Sequence, residues 1–343
     1  MKKKLLCLLL ALLTLLSLCA CGSSTPKAPE GPNEHQVVDG AGRILDLLEN
    51  PAEATMASVY AVSVPFITAL GLSDRTVAVN PKTKFWTQAD ENLSKESVGR
   101  GVVDLEKLAS YNPTALIHRS NDPDTVDAVE NLGVQVICIT VEDMADIEST
   151  LALLGKYFGA EQRAAEVTAW MQGKFDRVAE IVETIPEEER VTALLMGGEL
   201  GRIAGNDMLQ TWMIEQAGGI PVADVGEDHN WFNAGVEKVF EWNPEYIFCT
   251  GSTGLDYDAS DMENDKAWSA VQAVIDGNIY QMPAKIDAWD LPGLSCAIGT
   301  MYMLHTMYPD YFSAEELQAE IDDYYTFMFG KTFSADELGY SLD

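Results

Sequence analysis

Histidine and cysteine are scarce in this chain of 343 residues, which holds four of the one and six of the other. Cys7, Cys19 and Cys21 crowd into the start, leaving Cys138, Cys249 and Cys296 for everything after it. An odd set of distant thiols without a C-x-x-C pair excludes a disulfide scaffold and a zinc, iron–sulfur or dithiol motif. Cys138 and Cys249 lie in the apolar runs Val-Ile-Cys-Ile and Tyr-Ile-Phe-Cys and are expected as packed, free thiols. Basic residues are few as well, 22 against 54 acidic, for a formal charge of −32. A surface of that sign repels phosphate backbones, which excludes nucleic acid as a partner. Catalytic signatures are missing too: no nucleophile elbow, no Walker loop and no paired-histidine motif, while Gly197-Gly198 and Gly218-Gly219 lack the flanks of a phosphate or dinucleotide loop. Neither an enzyme nor a resident cofactor is expected.

What the chain does have is an internal echo. Residues 105–118, Leu-Glu-Lys-Leu-Ala-Ser-Tyr-Asn-Pro-Thr-Ala-Leu-Ile-His, return as Val-Glu-Lys-Val-Phe-Glu-Trp-Asn-Pro-Glu-Tyr-Ile-Phe-Cys at 236–249. Glu106, Lys107, Asn112 and Pro113 recur in register as Glu237, Lys238, Asn243 and Pro244. Each copy reads as a short amphipathic helix that stops at the asparagine, because proline disfavours the α conformation in its predecessor, followed by a buried strand. In open α/β sheets the loops past the carboxyl ends of strands line the ligand crevice, which singles out 118–121 and 250–253. Two such lobes facing each other make a cleft.

The chain opens with Lys2 to Lys4 and an apolar run from Leu5 to Ala20, too short and wrongly flanked for a membrane span, so 1–20 is expected to be a signal peptide. Its exit, Leu-Cys-Ala-Cys-Gly, resembles a bacterial lipoprotein processing site with Cys21 as the lipidated residue. Residues 21–36, rich in Ser, Pro and Gly, are expected to form a flexible tether. Strand-like and helix-like segments alternate over 37–160 and again over 186–343, the pattern of α/β lobes. Between them 161–185 holds no proline and is apolar at Val167, Trp170, Met171, Phe175, Val178 and Ile181. It reads as one amphipathic helix of roughly 37 Å at about 1.5 Å per residue, long enough to bridge two lobes.

The order of Ile67-Thr68-Ala69-Leu70-Gly71, the two Glu-Lys to Asn-Pro units, Gly155 to Gly159, Ala217-Gly218-Gly219, and Trp268 to Val274 before Gly277-Asn278-Ile279-Tyr280 carries a family likeness. The chain resembles the helix-linked solute-binding lipoproteins of bacterial ATP-driven importers for iron-siderophores, haem and cobalamin. That resemblance implies two Rossmann-like lobes, each a mostly parallel sheet flanked by helices, joined by one rigid helix with the ligand cleft between them. It implies an extracytoplasmic, lipid-anchored carrier that serves an ABC permease dimer with its ATPase, and small lobe movement on binding. It also makes Glu106 and Glu237 the residues that dock onto permease arginines, one per lobe of a carrier straddling a two-fold transporter.

For the solute, a metal chelate such as a ferric siderophore or haem needs aromatic walls and a few placed polar groups. Tyr60, Trp86, Trp231, Phe232 and Trp289 supply the first; His118, Arg119, Arg202, Asn230 and Asp290 supply the second. The two arginines suit the carboxylate or catecholate oxygens of an anionic chelate. Cobalamin, an oxyanion such as molybdate held by backbone amides and one arginine, and a bare transition metal on His118 and His229 stay open. Met301, Met303 and Met307 read as core packing. A surface adhesin or scaffold fits the anchor but gives the duplication no role.

Overall fold

The computed structural model describes residues 32–119, 121–223, 230–252 and 254–342. The expected signal peptide, Cys21, most of the tether and His229 lie outside the described residues. In the first lobe four parallel strands stand in the order Thr76–Ala78, Met56–Ser58, Ala115–His118, Gln135–Cys138. Ala115–His118 is buried along its whole length, as expected of a central strand in a sheet covered on both faces. The second lobe has a mixed sheet whose parallel part runs Ile220–Pro221, Thr192–Met196, Tyr246–Cys249, Ile279–Gln281. Arg202–Ile203 and Phe232–Asn233 extend it antiparallel.

These two parallel orders are the same order. Ala115–His118 lies between its neighbours in the first sheet as Tyr246–Cys249 does in the second, so the sequence echo marks equivalent central strands of separate sheets. Helices Leu105–Tyr111 and Val236–Trp242 lead into them. Both end on asparagine in the left-handed region, Asn112 at φ 46° and Asn243 at φ 45°, the only described non-glycine residues with positive φ. The sequence argument placed the stop correctly but on proline alone. The chain turns because asparagine tolerates the left-handed conformation, and Asn243 Oδ1 also accepts from the Gln272 amide.

Helix Glu161–Val182 occupies most of the predicted bridge, about 33 Å at 1.5 Å per residue. A second helix, Ala314–Phe329, lies along it. Lys174 pairs with Glu320 at 2.6 Å, Arg177 with Glu320 at 2.7 Å, and Trp170 stacks on Phe327 with centroids 5.0 Å apart. The end of that second helix reaches the first lobe, where Phe329 packs on Trp86. One apolar cluster therefore runs from Val64 and Ile67 through Val167 and Met171 to Leu195 and Tyr325. The lobes share this core across the middle, and each also keeps a separate cluster of its own, around Leu116 and Val136 in the first and around Ile247 and Trp268 in the second.

Candidate functional site

The carboxyl ends of the two sheets face one another. In the first lobe the loop after Met56–Ser58 carries Tyr60, whose carbonyl accepts from the hydroxyls of Ser58 and Ser63 at 3.0 and 2.8 Å. Arg119, just past Ala115–His118, holds its guanidinium 6.0 Å from the Tyr60 ring and ion-pairs with Glu142. Burial raises the Tyr60 phenol above its usual range, Arg119 partly opposes this, and Glu142 and Asp146 add to it. Tyr60 therefore stays a protonated donor at neutral pH.

In the second lobe a pocket of ≈ 540 Å³ opens among Gly197, Gly198, Glu199, Arg202, Trp231, Thr250, Ser252, Gly254 and Asp256. The Arg202 guanidinium sits 5.9 Å from the Trp231 ring and has no carboxylate partner among the described residues. Gly197 makes this approach possible, since a Cβ there would come within 3.0 Å of Trp231 and 3.3 Å of Arg202. Asn230, next to Trp231 in sequence, is exposed and is not among the residues that line the pocket, and Phe232 packs on Trp242. A smaller cavity of ≈ 190 Å³ lies between the lobes, lined by Ala61, Val62, Lys82, Thr83 and Trp86 on one side and by Ser252, Asp287, Leu291 and Pro292 on the other. Ser252 borders both cavities. A larger concavity, ≈ 730 Å³, lies elsewhere, where Gln88 to Asn92 meet Met328 to Lys331. None of the expected site residues lines it, so size alone does not mark the site.

Three expected positions take other places. Trp289 is 0% exposed and donates its indole N–H to Tyr325 at 3.0 Å, so it is core and cannot wall the cleft. Asp290 is buried: its carboxylate accepts from the Thr250 hydroxyl and from the Gly251 amide, fixing the loop that carries Ser252. His118 is buried with Nε2 donating to the Gly101 carbonyl at 3.0 Å. Trp86 is nearly buried, its covered face on Phe329, yet it borders the interlobe cavity. No cluster of three or more metal-ligating side chains occurs among the described residues.

Glu106 and Glu237 are exposed in the first turns of the matched helices. Neither forms an ion pair among the described residues, and Lys238 turns instead to Glu241 at 3.3 Å. The Gly101 amide, just ahead of the first helix, bonds the Val59 carbonyl at the end of strand Met56–Ser58.

Two parallel sheets of equal order, a helical bridge and a crevice between strand ends agree with the sequence match of residues 56–286 to the model for periplasmic binding proteins. The chain belongs to the periplasmic binding protein family. The molybdate-binding protein MolA of Haemophilus influenzae is 21% identical over 256 residues, 68% of this chain and 72% of MolA. The structure of MolA bound to molybdate aligns over 87% of this chain and 99% of its own, with TM-score 0.73 and 18% identity. A periplasmic solute binding protein from Veillonella parvula DSM 2008 aligns over 90% of this chain and 96% of its own, with TM-score 0.72 and 20% identity. The periplasmic heme-binding protein RhuT from Roseiflexus sp. RS-1 aligns over 76% of this chain and 99% of its own, with TM-score 0.62 and 16% identity. As a periplasmic binding protein the chain is a solute carrier of an ABC transporter, acting outside the cytoplasm with a permease and its ATPase.

Two residues of this periplasmic binding protein that sequence reading missed border the interlobe cavity. Lys82 follows Asn80-Pro81 after a strand, a punctuation like that of the repeat, and that was the available signal. Asp287 accepts from the Tyr324 hydroxyl at 3.1 Å, and burial pushes its carboxyl up to about 7, eased by Ser295 and Tyr324 and reinforced by Asp290. A carboxyl raised in the folded state favours folding below its unfolded value of about 4, and that benefit is lost as pH rises through about 7. Asp287→Asn is thus expected to stabilise the protein at pH 8 by on the order of a few kcal/mol, with the gain vanishing near pH 4. Thermal melts at both pH values check this; equal gains at the two would rule out the ionisation as cause.

Proposed function

We propose that this protein, held to the membrane through a lipidated Cys21, captures an anionic metal chelate in the interlobe cleft and hands it to the permease. The observation that supports this most is Arg202: an arginine without a carboxylate partner among the described residues, set beside Trp231 in a ≈ 540 Å³ pocket of a protein with net charge −32. A cation left unpaired where acids are abundant favours an anion as its complement. The aromatic face beside it suits the flat, apolar parts of a chelate such as a ferric siderophore or haem. Tyr60 and Arg119 offer a donor and a second cation from the facing lobe, although Glu142 already engages Arg119.

A second reading, molybdate, is favoured by the similarity to MolA. Titration calorimetry with a ferric tris-catecholate, haem and molybdate separates the two. The chelate reading expects one of the first two to bind and Arg202→Met to weaken it by at least about tenfold, the scale of a lost charge-assisted bond. Binding of molybdate alone would establish the second reading in its place.

Docking is proposed to rest on Glu106 and Glu237. Their exposure, their common register and their freedom from ion pairs among the described residues support that role.

A further inference from the structure

The ≈ 540 Å³ pocket of the second lobe and the ≈ 190 Å³ cavity between the lobes meet at Ser252. Each holds one basic side chain, Arg202 in the first and Lys82 in the second. Arg43, Arg119, Arg163, Lys174 and Arg177 are tied to acids. Lys82, like Arg202, is a cavity-lining cation that is not: its ammonium makes no hydrogen bond or ion pair among the described residues.

Its backbone is fixed all the same. The Lys82 amide donates to Asn80 Oδ1 at 2.9 Å, the Thr83 amide to the Asn80 carbonyl at 3.0 Å, and Asn80 Nδ2 to the Val59 carbonyl at 2.6 Å. Asn80 is itself buried, so the turn is clamped to the end of strand Met56–Ser58. A fixed backbone at a cavity mouth carries an unpaired ammonium within reach of an anionic group, and the flexible stem is what remains to be ordered on binding. Across the seam, Asp290 holds the Thr250–Gly251 turn and thereby Ser252 in place. The floor between Lys82 and Ser252 is mostly apolar, with Val62, Pro65, Leu291 and Pro292.

We propose that Lys82 is a specificity-determining residue of the first lobe: the solute lies across Ser252 with one anionic group at Arg202 and a second at Lys82. This rests on the reading of the cleft as an anion site and narrows it. The solute class becomes a chelate with at least two separated anionic groups around an apolar or metal-filled centre. A single compact oxyanion would fill one cavity and meet one cation.

The test uses the ferric tris-catecholate, whose negative charge is spread over its periphery, and molybdate, each titrated into the intact protein and into Lys82→Met, Lys82→Arg and Arg202→Met. The chelate is expected to bind the wild type, to lose about tenfold or more in affinity with Lys82→Met, and to recover most of it with Lys82→Arg. Matching thermal melts of wild type and Lys82→Met establish that the exposed lysine has no part in folding. If Arg202→Met weakens the chelate while Lys82→Met does not, the role of Lys82 is overturned and the anion cleft stands. If molybdate binds and the chelate does not, the two-group solute is overturned, again with the cleft intact. If neither probe binds, or Arg202→Met leaves affinity unchanged, the cleft reading fails and this inference with it.

Discussion

Replacing Glu106 and Glu237 together by alanine is expected to reduce solute uptake to the level of cells lacking the protein, with solute affinity unchanged within about twofold. The two carboxylates stand at equivalent places, in the first turns of helices that precede the central strands of the two sheets. A helix N-terminus favours negative charge there, which suits a carboxylate presented to arginines. Loss of one partner of a desolvated, hydrogen-bonded charge pair costs roughly 2–5 kcal/mol, about thirtyfold to several thousandfold in affinity. Two such losses on one carrier exceed what transient docking tolerates. Each single variant is expected to fall in between, because the other lobe still holds. Uptake assays paired with calorimetry check this; a double variant that keeps normal uptake would remove the docking role, and one that loses solute affinity would show that these glutamates line the cleft.

The second large effect concerns stability. Trp289→Ala is expected to destabilise the fold by about 3–5 kcal/mol, the usual cost of emptying a large buried aromatic site. That corresponds to a fall in Tm of roughly 10 °C for a chain of this size. Trp289 touches Tyr302 and Tyr340 and gives its N–H to Tyr325, so its removal opens a cavity and strands the Tyr325 hydroxyl. Trp289→Phe keeps most of the volume and loses the hydrogen bond, for an expected cost of about 1–2 kcal/mol plus a small void. Thermal and denaturant melts of the two variants separate packing from bonding. Equal, small losses in both would place Trp289 outside the core.

How much of this was legible in the sequence follows from what kind of interaction each feature depends on. The echo between 105–118 and 236–249 was readable because helix periodicity, an Asn-Pro stop and an apolar strand are local signals, and they located equivalent strands of two sheets. The bridge was readable because an amphipathic stripe without proline needs no tertiary information. The left-handed asparagines were not, since proline's effect on its predecessor and asparagine's own tolerance both end a helix and look alike on paper. Site residues divide the same way. Arg202 opens one short strand, Trp231 precedes the strand paired with it, and the two do share a pocket. Trp289 follows a strand, but an indole serves a core as well as a cleft, and only its neighbour Tyr325, far along the chain, decides which. For Lys82 the Asn80-Pro81 punctuation marks only the turn before it: nothing in its vicinity says that it lacks an acidic partner until all the folded neighbours are in place.

Anomalous diffraction from crystals of protein purified with its natural solute addresses the cleft directly. A metal peak between Trp231 and Lys82, within a small anionic molecule that touches Arg202, is the expected result. A solute seated in the outer concavity by Gln88 to Asn92, or a cationic molecule in the cleft, would contradict capture of an anionic chelate between the duplicated lobes.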